Sequence, residues 1–200
     1  MAGLLHPDLA GDPAQQLVLI AQSHAWRAIH WMFLFGFPLA LTGLVGVLDV
    51  SVSTPGESAA RAGVFVAAFA YAAWLVIVAF MVGTGWSLAQ RFVATAPGSA
   101  ATDAVALYAA LHPFALAAQR LAGFALGLAT ALFGWGVVEG RVLPRWLGTG
   151  GVAAGVVGVV LALTFREDTK ADEAAFVLPV VWQVVTGVVL LQRARSAAGA

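Results

Sequence analysis

The stretch IHWMFLFGFPLALTGLVGVL, Ile29–Leu48, decides the fold class. It contains no charged side chain and is 20 residues long, about the length at which an α-helix crosses the hydrocarbon core of a bilayer. A second run of the same kind covers Val64–Val82, and others follow further along the chain. Only 10% of the 200 residues are charged, against about 25% in soluble domains. Mean hydropathy is +0.90. A chain of this composition lacks the polar surface to cover a water-soluble fold. The sequence therefore predicts an all-α, polytopic membrane helix bundle.

Start and stop signals place the helices. Asp12-Pro13 supplies a cap and a proline at the first helical position. The first helix is expected over 13–48, with Pro38 as a kink site. Four more are expected over 57–95, 103–138, 144–165 and 173–193. They are separated by DVSVSTPGES, APGSAATD, EGRVLP and REDTKADE. This makes five spans in a single membrane domain, 1–200, with no internal repeat. The first three helices read as about 35 residues each, more than a bilayer needs. Their surpluses, 13–28, 84–95 and 103–118, fall on one side because spans alternate. Helices 1–3 are thus expected to extend beyond the bilayer on one face as a short cap. The alternative is that 13–28 lies flat as an amphipathic interfacial helix.

Composition also excludes chemistries. The formal net charge is zero, which gives no argument for a nucleic-acid partner. Cysteine is absent, so disulfides, thiolate metal sites and iron–sulfur clusters are excluded. No H-E-x-x-H occurs. G-T-G-W-S, Gly83–Ser87, has no preceding strand and is not a nucleotide fingerprint. The single lysine, Lys170, lies in a loop and cannot hold a retinal inside a span. The start, MAGLLHPDLAGDP, lacks the basic region of a cleaved signal peptide, so the first helix is expected to be retained.

The polar residues near the cap form stripes at about 100° per residue. On helix 1, Gln15, Gln16, Gln22, Ser23, Arg27 and His30 share a side, with His24 at its edge. On helix 2 the set is Thr84, Ser87 and Arg91; on helix 3 it is Tyr108, His112, Gln119 and Thr130. Polar groups at membrane depth prefer each other, or water, to lipid. Turning all three stripes inward predicts a polar pocket near the outer interface lined by His24, Arg27, His30, Arg91, Tyr108, His112, Gln119 and Arg120. The competing reading makes these arginines and histidines snorkelling headgroup anchors, with Trp26 and Trp31 as an aromatic belt. His6 lies in a terminal loop.

Two further features are intramembrane. Gln183, with Thr186 three residues on, sits mid-helix in hydrocarbon and needs a partner. It is expected to bond a neighbouring helix, the alternative being a ligand contact. GVAAG, Gly151–Gly155, is a small-xxx-small face expected to pack within the chain rather than between chains.

RVLPRWLGTGGVAAGVVGVV, Arg141–Val160, resembles a recurrent segment of uncharacterised small multi-pass inner-membrane proteins of GC-rich bacteria, in which a Leu-Pro-Arg-Trp-Leu-Gly turn opens a glycine-rich helix. HPD at His6–Asp8 and the histidine near the start of helix 1 are similar as well. The resemblance implies a bacterial inner-membrane protein and no particular activity. The positive-inside count is a tie. Arg61, Arg141, Arg145, Arg193 and Arg195 lie on one side, and Arg27, Arg91, Arg120, Arg166 and Lys170 on the other. The tight loop of Arg141 and Arg145 favours the cap and N-terminus outside, and the C-terminus inside.

Three functions fit these residues. The first is a non-catalytic membrane module, either an accessory subunit of a membrane complex or a small-ligand binder. Its partners would be the lipid bilayer and other membrane subunits. The second is an electron-transfer protein with b-type haem, using His24 or His30 with His112 as iron ligands. The third is a small transporter or channel, against which stands the lack of acidic residues inside the spans and of an inverted repeat. Five spans place the two termini on opposite faces. Reporter fusions at Gly3 and Ala198 should therefore give opposite compartment signals; matching signals would mean a span has been miscounted.

Overall fold

The computed structural model describes residues 9, 11–96, 98–165 and 169–199. His6–Asp8, Pro97 and Arg166 lie outside the described residues, as does the Lys170 side chain. Among the described residues the fold is entirely helical. We label the helices α1 (Pro13–Gln22), α2 (Trp26–Ser51), α3 (Glu57–Ala94), α4 (Ser99–Gly140), α5 (Arg145–Thr164) and α6 (Lys170–Ala198). Five of them, α2 to α6, are long and apolar enough to cross a membrane, with mean hydropathies of 1.8 to 2.4 over their most apolar windows. The chain is a multi-pass helical membrane protein.

The start signal at Asp12 works as its residue types dictate. Asp12 Oδ1 accepts from the Gln15 backbone at 2.9 Å, and Gln15 Oε1 accepts from the Asp12 backbone at 3.0 Å. Pro13, lacking an N–H, fills the first helical position. The expected single helix over 13–48 is, however, divided. Ser23 turns to an extended conformation and its N–H bonds back to Leu19 and Ile20. Trp26 N–H bonds to Ser23 O, and α2 begins there. The break lets α1 pack against the Trp86–Ala94 segment of α3, with Leu17 and Ile20 buried on one and Leu88 and Ala89 on the other.

Pro38 and Pro113 are carried inside continuous helices, as is Pro179. Helix α3 is α-helical to Phe80, passes through a π turn over Met81–Gly85, and resumes at Trp86. The chain forms two compact units. The first comprises residues 1–37 and 74–118, the second residues 38–73 and 119–200. The three surplus segments expected to form a cap, 13–28, 84–95 and 103–118, all belong to the first unit.

The second unit is assembled by glycine. Gly148, Gly151, Gly155 and Gly158 are all buried on one face of α5. They meet Gly127 and Gly134 of α4. A Cβ at Gly134 would lie 2.4 Å from the Val152 nitrogen, and one at Gly155 would lie 2.4 Å from the Ala131 nitrogen. No side chain fits at such distances, so backbone touches backbone. The GVAAG face therefore packs within the chain, as its sequence suggested. Against the same stretch of α4, a Cβ at Gly56 would overlap the Gly136 carbonyl, and one at Gly63 would press on the Phe133 ring. Lipid-facing positions are large and apolar by contrast. Val177, Val181, Val184, Val188 and Leu191 form an exposed stripe along α6, the pattern expected where the solvent is hydrocarbon.

Gly134→Ala should lower stability by about 1–3 kcal/mol, because the added methyl must push apart a pair of backbones in contact. Gly150→Ala is the control. Nothing lies within 4 Å of that site, so it should gain about 1 kcal/mol of helix propensity. Thermal unfolding of both variants in detergent separates packing from propensity; equal shifts would remove the role assigned to the glycine face.

Candidate functional site

The first unit contains six of the eight residues expected around a pocket: His24, Arg27, His30, Arg91, Tyr108 and His112. Gln119 and Arg120 belong to the second unit. Their settings differ sharply. His24 lies exposed in the turn between α1 and α2, and Arg27 is exposed one residue into α2. His30 is buried, at 5% exposure. Tyr108 is fully buried, at 0%, and His112 is half-buried.

The expectation that all three stripes turn inward needs correction. The α3 stripe of Thr84, Ser87 and Arg91 does not turn inward: all three residues are exposed. The inward face of that segment is taken by Met81, Gly85, Leu88 and Ala89, an apolar set at helical spacing. The α1 part of the first stripe ends at the break. Gln15 is engaged in the cap of α1, and Gln16 Nε2 donates to the Leu9 and Gly11 carbonyls at 3.1 and 3.2 Å. The α4 stripe does turn inward at Tyr108 and at Thr130, whose hydroxyl donates to Leu126 O.

Trp26 organises the first unit. Its ring is fully buried, and its indole Nε1 donates to the Met81 carbonyl at 3.0 Å. The same carbonyl accepts the Trp86 N–H, the i→i+5 bond that defines the π turn. One turn on, the His30 ring lies 4.4 Å from the Trp26 ring, and His30 Nδ1 is 2.7 Å from Trp26 O. A carbonyl only accepts, so Nδ1 is the donor in this contact. On α4, Tyr108 lies between two rings. His112 stacks at 4.8 Å between ring centroids, and Phe80 lies at 6.3 Å. The Tyr108 hydroxyl is buried and has no hydrogen-bond partner among the described residues. Buried polar groups are overwhelmingly bonded, which makes this hydroxyl, like Gln16 Oε1 in the same unit, an exception.

In the second unit, Arg120 donates to the Phe165 carbonyl at 2.7 Å, tying α4 to the end of α5. Gln119 is half-buried. Gln183 accepts a hydrogen bond from the Tyr71 hydroxyl on α3. Its expected role as a bond between helices is thereby realised. Thr186 is buried and turns its hydroxyl to Trp182 O at 2.8 Å, within its own helix. No group of three or more candidate metal-ligating residues occurs among the described residues.

No protein-family model, curated protein or solved structure matches this chain. Its reading therefore rests on these residues alone. Trp26, read from the sequence as part of an interfacial belt, is instead fully buried, and it shares a feature with two residues the sequence did not single out. Trp26, Tyr71 and Trp182 are aromatic side chains whose polar atom reaches another helix, Trp182 Nε1 donating to Leu147 O at 2.8 Å. A large amphipathic side chain in an apolar run was the available signal.

Gln183→Leu should destabilise by about 1 kcal/mol, because it strands the buried Tyr71 hydroxyl. Tyr71→Phe in the same background should restore most of that loss, since neither polar group then remains. A double-mutant cycle read by thermal unfolding measures the coupling. Strict additivity would show that the bond contributes nothing.

Proposed function

We propose that the chain is a non-catalytic, multi-pass protein of the bacterial inner membrane that binds a small polar ligand in its first unit, with the cap outside. Tyr108 and His112 are the contacts from α4, and His30 is the contact from α2. The observation that carries this reading is the Tyr108 hydroxyl, fully buried and lacking a hydrogen-bond partner among the described residues. Leaving such a group unbonded costs about 1–3 kcal/mol. A ligand with one polar atom at that position removes the penalty. The exposed Arg27 and Arg91 belong to the same unit and add positive charge outside the buried site.

Tyr108→Phe tests this. Removing an unbonded hydroxyl should leave stability unchanged or raise it, while the small molecule that stays with the wild-type protein in native mass spectrometry is lost. Raised stability with unchanged small-molecule retention would sink the proposal.

One observation favours a second reading, b-type haem. A buried imidazole whose Nδ1–H is held by a backbone carbonyl presents Nε2 in the orientation metal-ligating histidines adopt. His30 would be one axial ligand and His112 the other. On this reading the protein loaded with haem shows a Soret band that both His30→Ala and His112→Ala shift. A colourless wild-type sample after haem loading excludes it.

A further inference from the structure

The turn from α4 to α5 encloses an open cavity of about 410 Å³, lined by Val137, Val138, Arg141, Leu143 and Arg145. The volume falls within the range of small-ligand sites. The lining is of two kinds, apolar side chains and two guanidinium groups. Arg61 is paired with Glu57, whereas neither Arg141 nor Arg145 forms an ion pair with a described carboxylate. Arg193 brings a third cation to the same turn by donating to the Val142 carbonyl.

The backbone holds Arg141 there at a cost. Its φ is 55°, a left-handed conformation uncommon outside glycine. Its N–H donates to Val137 O and closes α4, in the position glycine usually fills. Gly140, one residue earlier, is committed elsewhere: a Cβ there would lie 2.7 Å from Thr54 Oγ1. The left-handed position thus falls on an arginine that lines the cavity.

We infer that this cavity binds the phosphate-bearing headgroup of an anionic phospholipid. Arg141 and Arg145 are the phosphate ligands, since guanidinium forks match phosphate oxygens bidentately. Val138, half-buried at the cavity wall, meets the apolar part of the lipid, backed by the buried Val137 and Leu143. A lipid is favoured over free phosphate because the cavity lies at the joined ends of two helices long and apolar enough to cross a membrane. The exposed Trp146, beside Arg145 at the start of a span, also marks the level of the headgroups. This site belongs to the second unit and is independent of the Tyr108 reading.

The test uses the full chain in neutral detergent, with thermal unfolding and native mass spectrometry as readouts. The added probes are dioleoyl phosphatidylglycerol, dioleoyl phosphatidylcholine or inorganic phosphate. Phosphatidylglycerol should raise the unfolding temperature and remain bound, and phosphatidylcholine should do neither. Arg141→Gly and Arg145→Gln should each weaken phosphatidylglycerol binding about tenfold, the scale of one lost charge-assisted bond. Arg61→Gln should leave it unchanged. Arg141→Gly also relieves the left-handed strain, so it should melt no lower than the wild type, and its lost binding cannot be blamed on misfolding. Equal retention of phosphatidylcholine, or unweakened binding in both arginine variants, overturns the inference. An equal stabilisation by inorganic phosphate alone makes this a free-anion site and overturns the lipid assignment.

Discussion

The backbone contact between α4 and α5 is the constraint on which the second unit depends. In hydrocarbon the hydrophobic effect does not drive helices together, because lipid tails are as apolar as leucine. What remains is close packing, and close packing improves as side chains are removed. Gly127 and Gly134 on one helix, and Gly148, Gly151, Gly155 and Gly158 on the other, bring main chains within van der Waals contact. The same glycine face then receives α6. A Cβ at Gly151 would strike the Trp182 ring at 2.7 Å, so the missing methyl is the seat of that indole. Its Nε1 in turn reaches the Leu147 carbonyl.

Seating Trp182 sets the rotation of α6 and hence the direction of the next residue, Gln183. The Tyr71–Gln183 bond follows from that rotation rather than causing it. Magnitudes support this order. Interhelical side-chain bonds in membranes average about 0.6 kcal/mol, whereas forcing packed backbones apart costs about 1–3 kcal/mol. The polar bond adds to a rotation of α6 that the glycine face and Trp182 already set. It does not by itself hold the helix.

Much of this was legible in the sequence, for reasons specific to each element. The spans were legible because runs such as Ile29–Leu48 have one physical reading. The start of α1 was legible because Asp12 and Pro13 act locally. The glycine face was legible because its spacing of three and four is the helical repeat. The break at Ser23–Ala25 was not. S-H-A contains neither glycine nor proline, and the turn is stabilised by a distant event, the capture of the Trp26 indole by a carbonyl 55 residues away. The pocket reading failed at Arg91 for a related reason. Its stripe was read without the opposite face, and Leu88 and Ala89 compete better for the interior. Tyr108 and His30 were legible because each sits near the boundary of an apolar run on a polar stripe. Arg141 was not legible as a strained residue, since Gly140 beside it is the expected helix terminator and is held against Thr54 instead.

The two units solve the packing problem in opposite ways, and the difference bears on function. The second unit brings helices together by deleting side chains. The first fills its interior with large rings: Trp26, Phe80 and Tyr108, with the His30 ring against Trp26 and the His112 ring against Tyr108. Rings that carry a polar atom pack well in an apolar interior only if that atom is bonded. Trp26 meets the condition at Met81 O, where the π turn offers a carbonyl that serves two donors. His30 meets it at Trp26 O. Tyr108 has the most buried ring of the α4 stripe, yet its hydroxyl has no described hydrogen-bond partner. Phenylalanine would pack in the same space without that penalty. On the ligand reading proposed above, the hydroxyl is kept for a partner it bonds, and Tyr108 is therefore the point on which that reading turns.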